Sequence, residues 1–170
     1  MKEHYLLTIL SEDRKGLVSI ITGILNRRGT EIESVSAART DIHWRVLVTL
    51  EVITESSDIK IISNKIKNII EVFHVEIALI QDAWYQKVAL YTIDKSGYNS
   101  EIHCRLQKFG AVIVGYFQDE ILIQKTGRDE DILLLYNDLD GPYLKSFTKS
   151  AAISIKPIAD EDSSVMSLAA

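Results

Sequence analysis

The side chains able to do chemistry in this chain of 170 residues are few and scattered. His4, His43, His74 and His103 stand far apart, with no spacing that would set two of them as metal ligands on one element. His103 adjoins Cys104, but neighbours on a helix point in different directions, so the pair reads as a surface histidine beside a buried cysteine. No nucleophile motif, phosphate loop or dinucleotide fingerprint occurs. Asp129, Glu130 and Asp131 cluster where a helix is expected to start, and their charge suits the positive end of its dipole better than a bound cation. The residue types therefore offer no catalytic group, no metal site and no cofactor site. What remains is backbone. In Glu12–Ser36, EDRKGLVSIITGILNRRGTEIESVS, Gly16 can let a ligand approach bare backbone amides near a helix start. The same glycine also reads as plain turn chemistry.

The elements that would position those amides follow from periodicity. Tyr5–Leu10 is a near-continuous apolar run of strand length. After the charged turn, Val18, Ile21 and Leu25 recur at helical spacing, widened by Leu17 and Ile24, and Gly29 stops the helix at its C′ position. Thr30–Arg39 is a weakly patterned strand. Trp44–Ile53 alternates cleanly, with Trp44, Val46, Val48, Leu50 and Val52 on one face and Arg45, Thr49 and Glu51 on the other. Ser56 and Ser57 are candidate caps for a second helix with the stripe Ile59, Ile62, Ile66 and Ile69. Phe73, Val75, Ile77 and Leu79 then alternate as a strand. The order strand, helix, strand, strand, helix, strand is the ferredoxin-like βαββαβ layout, an α+β fold with two helices on one face of an antiparallel sheet.

The second half repeats it. Trp84–Ile93 is strand-like, Asn99–Phe109 is a helix, and Ala111–Phe117 and Ile121–Lys125 are strands. Thr126 and Asp129 have capping-box spacing before a helix through Ile132, Leu135, Tyr136 and Leu139, which Gly141-Pro142 ends. A last strand is expected over Ala151–Ile155. Gly16 and Gly29 recur 81 residues later as Gly97 and Gly110, as two copies of one architecture would require. The expected domains are 1–80 and 84–157, joined by Ile80–Ala83, with 158–170 as a tail.

Hydrophobic residues at 46% and charged residues at 25% are ordinary globular values. A net charge of −5 argues against a nucleic-acid partner. The single cysteine cannot form an internal disulfide, and no apolar run is long enough to span a bilayer. Met1–His4 leads straight into a strand and not a cleavable signal, so a cytoplasmic location is expected.

The strings D-R-K-G-L-V and N-R-R-G-T-E-I-E-S-V resemble the start of an ACT domain, and more narrowly the regulatory small subunit of acetolactate synthase. That family's usual pattern is N-x-x-G-x-L followed by R-R-G-[FY]-N-I-E-S-L. The resemblance continues at a lower level through Lys87–Tyr91 and Lys125-Thr126-Gly127. It implies a homodimer whose ACT domains join side by side and bind valine or a related branched-chain amino acid at the seam. It also implies a large catalytic subunit as partner, itself dependent on thiamine diphosphate, FAD and magnesium, which this chain would activate and expose to feedback. By the same resemblance, the amides of Gly16, Leu17 and Val18 would hold the effector's carboxylate, and Ile32 would line its socket. Asp13 and Glu31 stand where the family has asparagines. Ionised Glu31 only accepts hydrogen bonds and repels a carboxylate, so the resemblance leaves valine binding open.

Three alternatives use the same fold. An ACT-domain amino-acid sensor with another partner enzyme fits the same residues. An acylphosphatase wants an arginine and an asparagine around a phosphate-holding loop, and Glu12–Gly16 is too acidic for that. An RNA-recognition module wants paired aromatics in a basic, glycine-containing motif, which is absent.

Overall fold

The computed structural model describes residues 1–154 and builds them into two ferredoxin-like units. In the first, β1 (Lys2–Glu12), α1 (Leu17–Asn26), β2 (Glu31–Arg39), β3 (Arg45–Glu55), α2 (Ser56–Lys67) and β4 (Val72–Leu79) form an antiparallel sheet in the order β2-β3-β1-β4. Leu7 and Ile9 of β1, Val48, Leu50 and Val52 of β3, and Ile21, Leu25, Ile62 and Ile66 of the helices make one buried core. The alternation in β3 holds, but Trp44 lies before the strand, at a φ of 65° and largely exposed. Glu55, with an extended backbone, precedes α2, and neither Ser56 nor Ser57 caps it.

The second unit runs β5 (Tyr85–Asp94), a short 3-10 turn at Lys95–Gly97, α3 (Ser100–Lys108), β6 (Val112–Phe117), β7 (Glu120–Gly127), α4 (Asp129–Leu139) and β8 (Leu144–Lys149), with sheet order β6-β7-β5-β8. Asn99 caps α3 by accepting the Ile102 N–H at 2.9 Å. At α4 the expected Thr126 and Asp129 pair is displaced by two residues: the Arg128 N–H donates to Asp131. The final strand starts earlier than expected. β8 pairs with Ala89–Ile93, and the chain then breaks and resumes as β9 (Ile153–Ser154) against Tyr85 and Gln86. Ile155 and the expected tail lie outside the described residues.

The glycine repeat holds at one pair of positions and changes character at the other. Gly29 and Gly110 both end helices, at φ of 64° and 63°. Gly16 is left-handed at 86°, whereas Gly97 is required by contact, since a Cβ there would lie 2.3 Å from the Tyr143 ring.

The two units meet on the face of the first sheet away from its helices. Leu6 is buried there beneath Ala83, Tyr85 and Ala152. Glu51, on the polar face of β3, is 0% exposed, and Lys87 of β5 is 3% exposed. Lys87 Nζ donates to Glu51 Oε2 at 2.7 Å and to Asp129 Oδ2 at 2.6 Å, and Lys149 reaches Asp129 Oδ1 at 2.5 Å. Glu51 Oε1 accepts from the Ser34 hydroxyl and from the Ala152 amide at 3.3 Å. Arg128 closes the joint, donating to the carbonyls of Ile80 and Gln81 at 2.7 and 3.2 Å.

Burial opposes the charge on Lys87, yet its hydrogen bonds to Asp129 and Glu51 win and hold the ammonium above its ordinary 10.5. Burial also opposes the charge on Asp129, and hydrogen bonds from Lys149 and Lys87 hold its carboxyl below the usual 3.8. Stability from Asp129 is therefore complete above 3.8 and falls as pH drops through its lower folded value, while that from Lys87 is complete below 10.5 and falls as pH rises through its higher one. Asp129→Asn is expected to flatten the acid limb of a stability profile measured by denaturant unfolding. Lys87→Met, which strands Glu51, is expected to cost about 3 kcal/mol near neutral pH, with part recovered in Lys87→Met/Glu51→Gln.

Candidate functional site

The β1–α1 loop is held from both sides. The Glu12 N–H donates to the Glu71 carbonyl at 2.9 Å and the Asp13 N–H to the Trp44 carbonyl at 2.8 Å. Gly16 turns the chain into α1 in the left-handed region, and a Cβ there would meet nothing within 4 Å, so backbone conformation and not crowding selects glycine. Of the expected donors, the Leu17 amide is engaged by the Arg14 carbonyl at 3.3 Å, and its side chain is buried in the core. Among the described residues the N–H groups of Gly16, Val18 and Ser19 find no acceptor, as the start of a helix leaves them. The bare amides are thus Gly16, Val18 and Ser19, two of the three expected donors and the residue that follows them. Val18 is half-buried against the first core.

Asp13 and Glu31 do not share a pocket within one chain. Glu12 pairs with Arg45 and Arg39 with Val46, which places Asp13 at one end of the sheet. Glu31 pairs with Ile53, which pairs with His4 at the other end. Glu31 and Arg39 are the two ends of the nine-residue β2, roughly 25 Å of strand apart. Ile32 packs on the core beside Val52. Asp13 is also already matched, accepting from Arg39 Nε at 2.7 Å. Strand patterning did not single out Arg39; the signal that finds it is register, which brings the ends of β1 and β2 to the same edge of the sheet across β3.

Two further placements differ from expectation. Cys104 is exposed, and His103 is hydrogen-bonded to Tyr98 and Gln107 at 2.8 and 3.1 Å, so no thiol–base pair forms. His4 does meet acids: its Nε2 lies 3.8 Å from Glu33 and 3.9 Å from Glu51, a cluster that no sequence spacing announces. No helix among the described residues is long and apolar enough to cross a membrane.

No family model matches the chain. It is similar to the acetolactate synthase small subunit of Mycobacterium bovis, 21% identical over 150 residues that cover 88% of this chain and 89% of the relative. It is similar also to that of Bacillus subtilis, 26% identical over 140 residues and 81% of each chain. Among solved structures, the acetolactate synthase small subunit of Thermotoga maritima shares the fold, with a TM-score of 0.79 over 90% of this chain and 96% of that one at 17% identity. The likeness therefore runs through both units.

The positive φ at Gly16 gives a direct check. Gly16→Ala is expected to lose about 1 kcal/mol of unfolding free energy to left-handed strain, whereas Gly23→Ala, within α1 and in open space, is expected to gain up to about 1 kcal/mol. Urea unfolding of both variants measures the contrast.

Proposed function

We propose that this chain is a non-catalytic regulatory subunit of acetolactate synthase that dimerises through its first unit, binds a large catalytic subunit and activates it. The observation that carries the reading is similarity to small subunits along nearly the whole length of both partners, with one fold throughout. No catalytic constellation competes with it among the described residues.

The free edge of β2 supports the dimer. Its central residues, Ser34, Val35, Ser36, Ala37 and Ala38, are small, and an edge of this kind invites pairing. An antiparallel two-fold pairing centred on Val35 sets Glu31 opposite the partner's Arg39 and Glu33 opposite the partner's Ala37. It also carries the partner's Glu31 across to the Asp13–Arg39 pair and the Gly16 turn, assembling from two chains the site that one chain holds at opposite ends. In that seam the free amides of Gly16, Val18 and Ser19 and the Arg39 guanidinium are donors for an effector carboxylate. Asp13 and the partner's Glu31 compete for the same guanidinium. Valine or a related amino acid is the effector class, and the two acids set how weakly it binds.

Mixed with the large subunit of the same organism, the chain is expected to co-purify with it and raise its rate, while showing no synthase activity alone. No association between two folded proteins would leave a stand-alone amino-acid sensor. For the seam, Asp13→Asn/Glu31→Asn is expected to strengthen valine binding several-fold, a charge effect on the order of 1 kcal/mol. Calorimetric titration of wild type and variant at fixed salt decides it. Tight binding by the wild type that the variant weakens would show that the acids hold the effector's ammonium group instead.

A further inference from the structure

Beyond that reading and independent of it, we propose that His4, Glu33 and Glu51 form a binding site for one divalent transition-metal ion of the zinc class. Each ligand comes from a different strand, β1, β2 and β3, and the three ligand atoms all lie within 4.8 Å of one another. In a tetrahedral site with bonds of about 2.1 Å, neighbouring ligand atoms stand roughly 3.4 Å apart. The observed 3.8 and 3.9 Å from His4 Nε2 to the two carboxylates require only small side-chain rotations to close.

Two independent features point to an occupant. The first is His4 Nε2, a buried ring nitrogen with no hydrogen-bond partner among the described residues, although ring nitrogens buried away from water normally find one. The second is a bulge. Register shifts between Ile32 and Ser34, so Ile32 opposes Val52 and Ser34 opposes Glu51 with Glu33 as the extra residue. An unbroken strand would turn one of Glu33 and Ser34 away; the bulge directs both to Glu51, and bulges commonly re-aim side chains in this manner.

The hydrogen-bond inventory of Glu51 leaves one place for the ion. Oε1 accepts from Ser34 and Ala152, and Oε2 accepts from Lys87. A carboxylate has about four acceptor positions, so the remaining one belongs to Oε2, the oxygen nearest His4. Glu33 and Glu51 bring two negative charges to the ion, while Lys87, which shares Oε2 at 2.7 Å, is countered on its other side by Asp129. One imidazole with two carboxylates suits zinc or cobalt rather than calcium or magnesium, which prefer all-oxygen shells. His4 and Glu33 are 29% and 44% exposed, which leaves the outer coordination positions to water.

The test uses the full-length protein, stripped with chelator, titrated with Zn²⁺ by calorimetry and with Co²⁺ by visible absorption. Expected are one ion per chain, cobalt bands of a low-coordinate nitrogen–oxygen site that Zn²⁺ abolishes, and a loss of affinity of at least ~10-fold in Glu33→Gln and in His4→Ala. Circular dichroism and the dimer mass check that Glu33→Gln keeps the fold and the assembly; His103→Ala/Cys104→Ser is the control expected to keep the site. Absence of saturable uptake overturns the proposal. So does binding that persists in Glu33→Gln/His4→Ala, or a thermal midpoint raised by acid but indifferent to Zn²⁺, which would assign the cluster to a protonated His4 bridging two acids.

Discussion

The arrangement of the two units turns on one buried ammonium group. Glu51 lies in the middle of β3 on a face that would otherwise be wet, and covering it without a counter-charge would cost several kcal/mol. Lys87 removes that obstacle and is in turn neutralised from its own unit by Asp129, so the charge of each unit is completed by the other. Apolar contact alone, Leu6 under Ala83, Tyr85 and Ala152, would tolerate sliding. A carboxylate whose two oxygens are claimed by Ser34, Ala152 and Lys87 does not. The joint therefore has a defined register, and β2, which supplies Ser34, is tied to it directly.

Much of the fold was legible because each core obeys a simple period. The stripes of α1 and α2, the alternation of β3 and the helix-ending glycines all follow from residues meeting a core on one side. The failures have physical reasons too. β8 reads L-K-S-F-T-K, with its apolar residues Leu144 and Phe147 three apart, so period two is hidden. Glu51 fits the polar side of an alternating strand perfectly well, yet that side is buried by a second unit. Periodicity reports that a face is polar, and cannot report what later covers it.

The candidate site was legible in kind and not in place. Gly16 makes the left-handed turn into α1 and leaves the amides of Gly16, Val18 and Ser19 without acceptors among the described residues, while register brings Arg39 to Asp13. Treating Asp13 and Glu31 as neighbours fails within one chain because sequence proximity across a helix says nothing about which end of the sheet each strand presents. His4 and Glu33 were invisible for a related reason: only pairing across three strands, with a bulge in one, brings them to Glu51.

The joint also bears on the order in which the chain can acquire its structure. As it leaves the ribosome, the first unit holds every strand and helix that its core needs by Leu79, and Glu51 is then still hydrated and requires no partner. Dehydration of that carboxylate waits for Lys87, then for Asp129 at the start of α4, and last for the Ala152 amide, which arrives only after β8 has paired. The joint is thus complete only once residue 152 has been made, and a chain halted before Lys87 would carry a first unit whose central acid has no counter-charge.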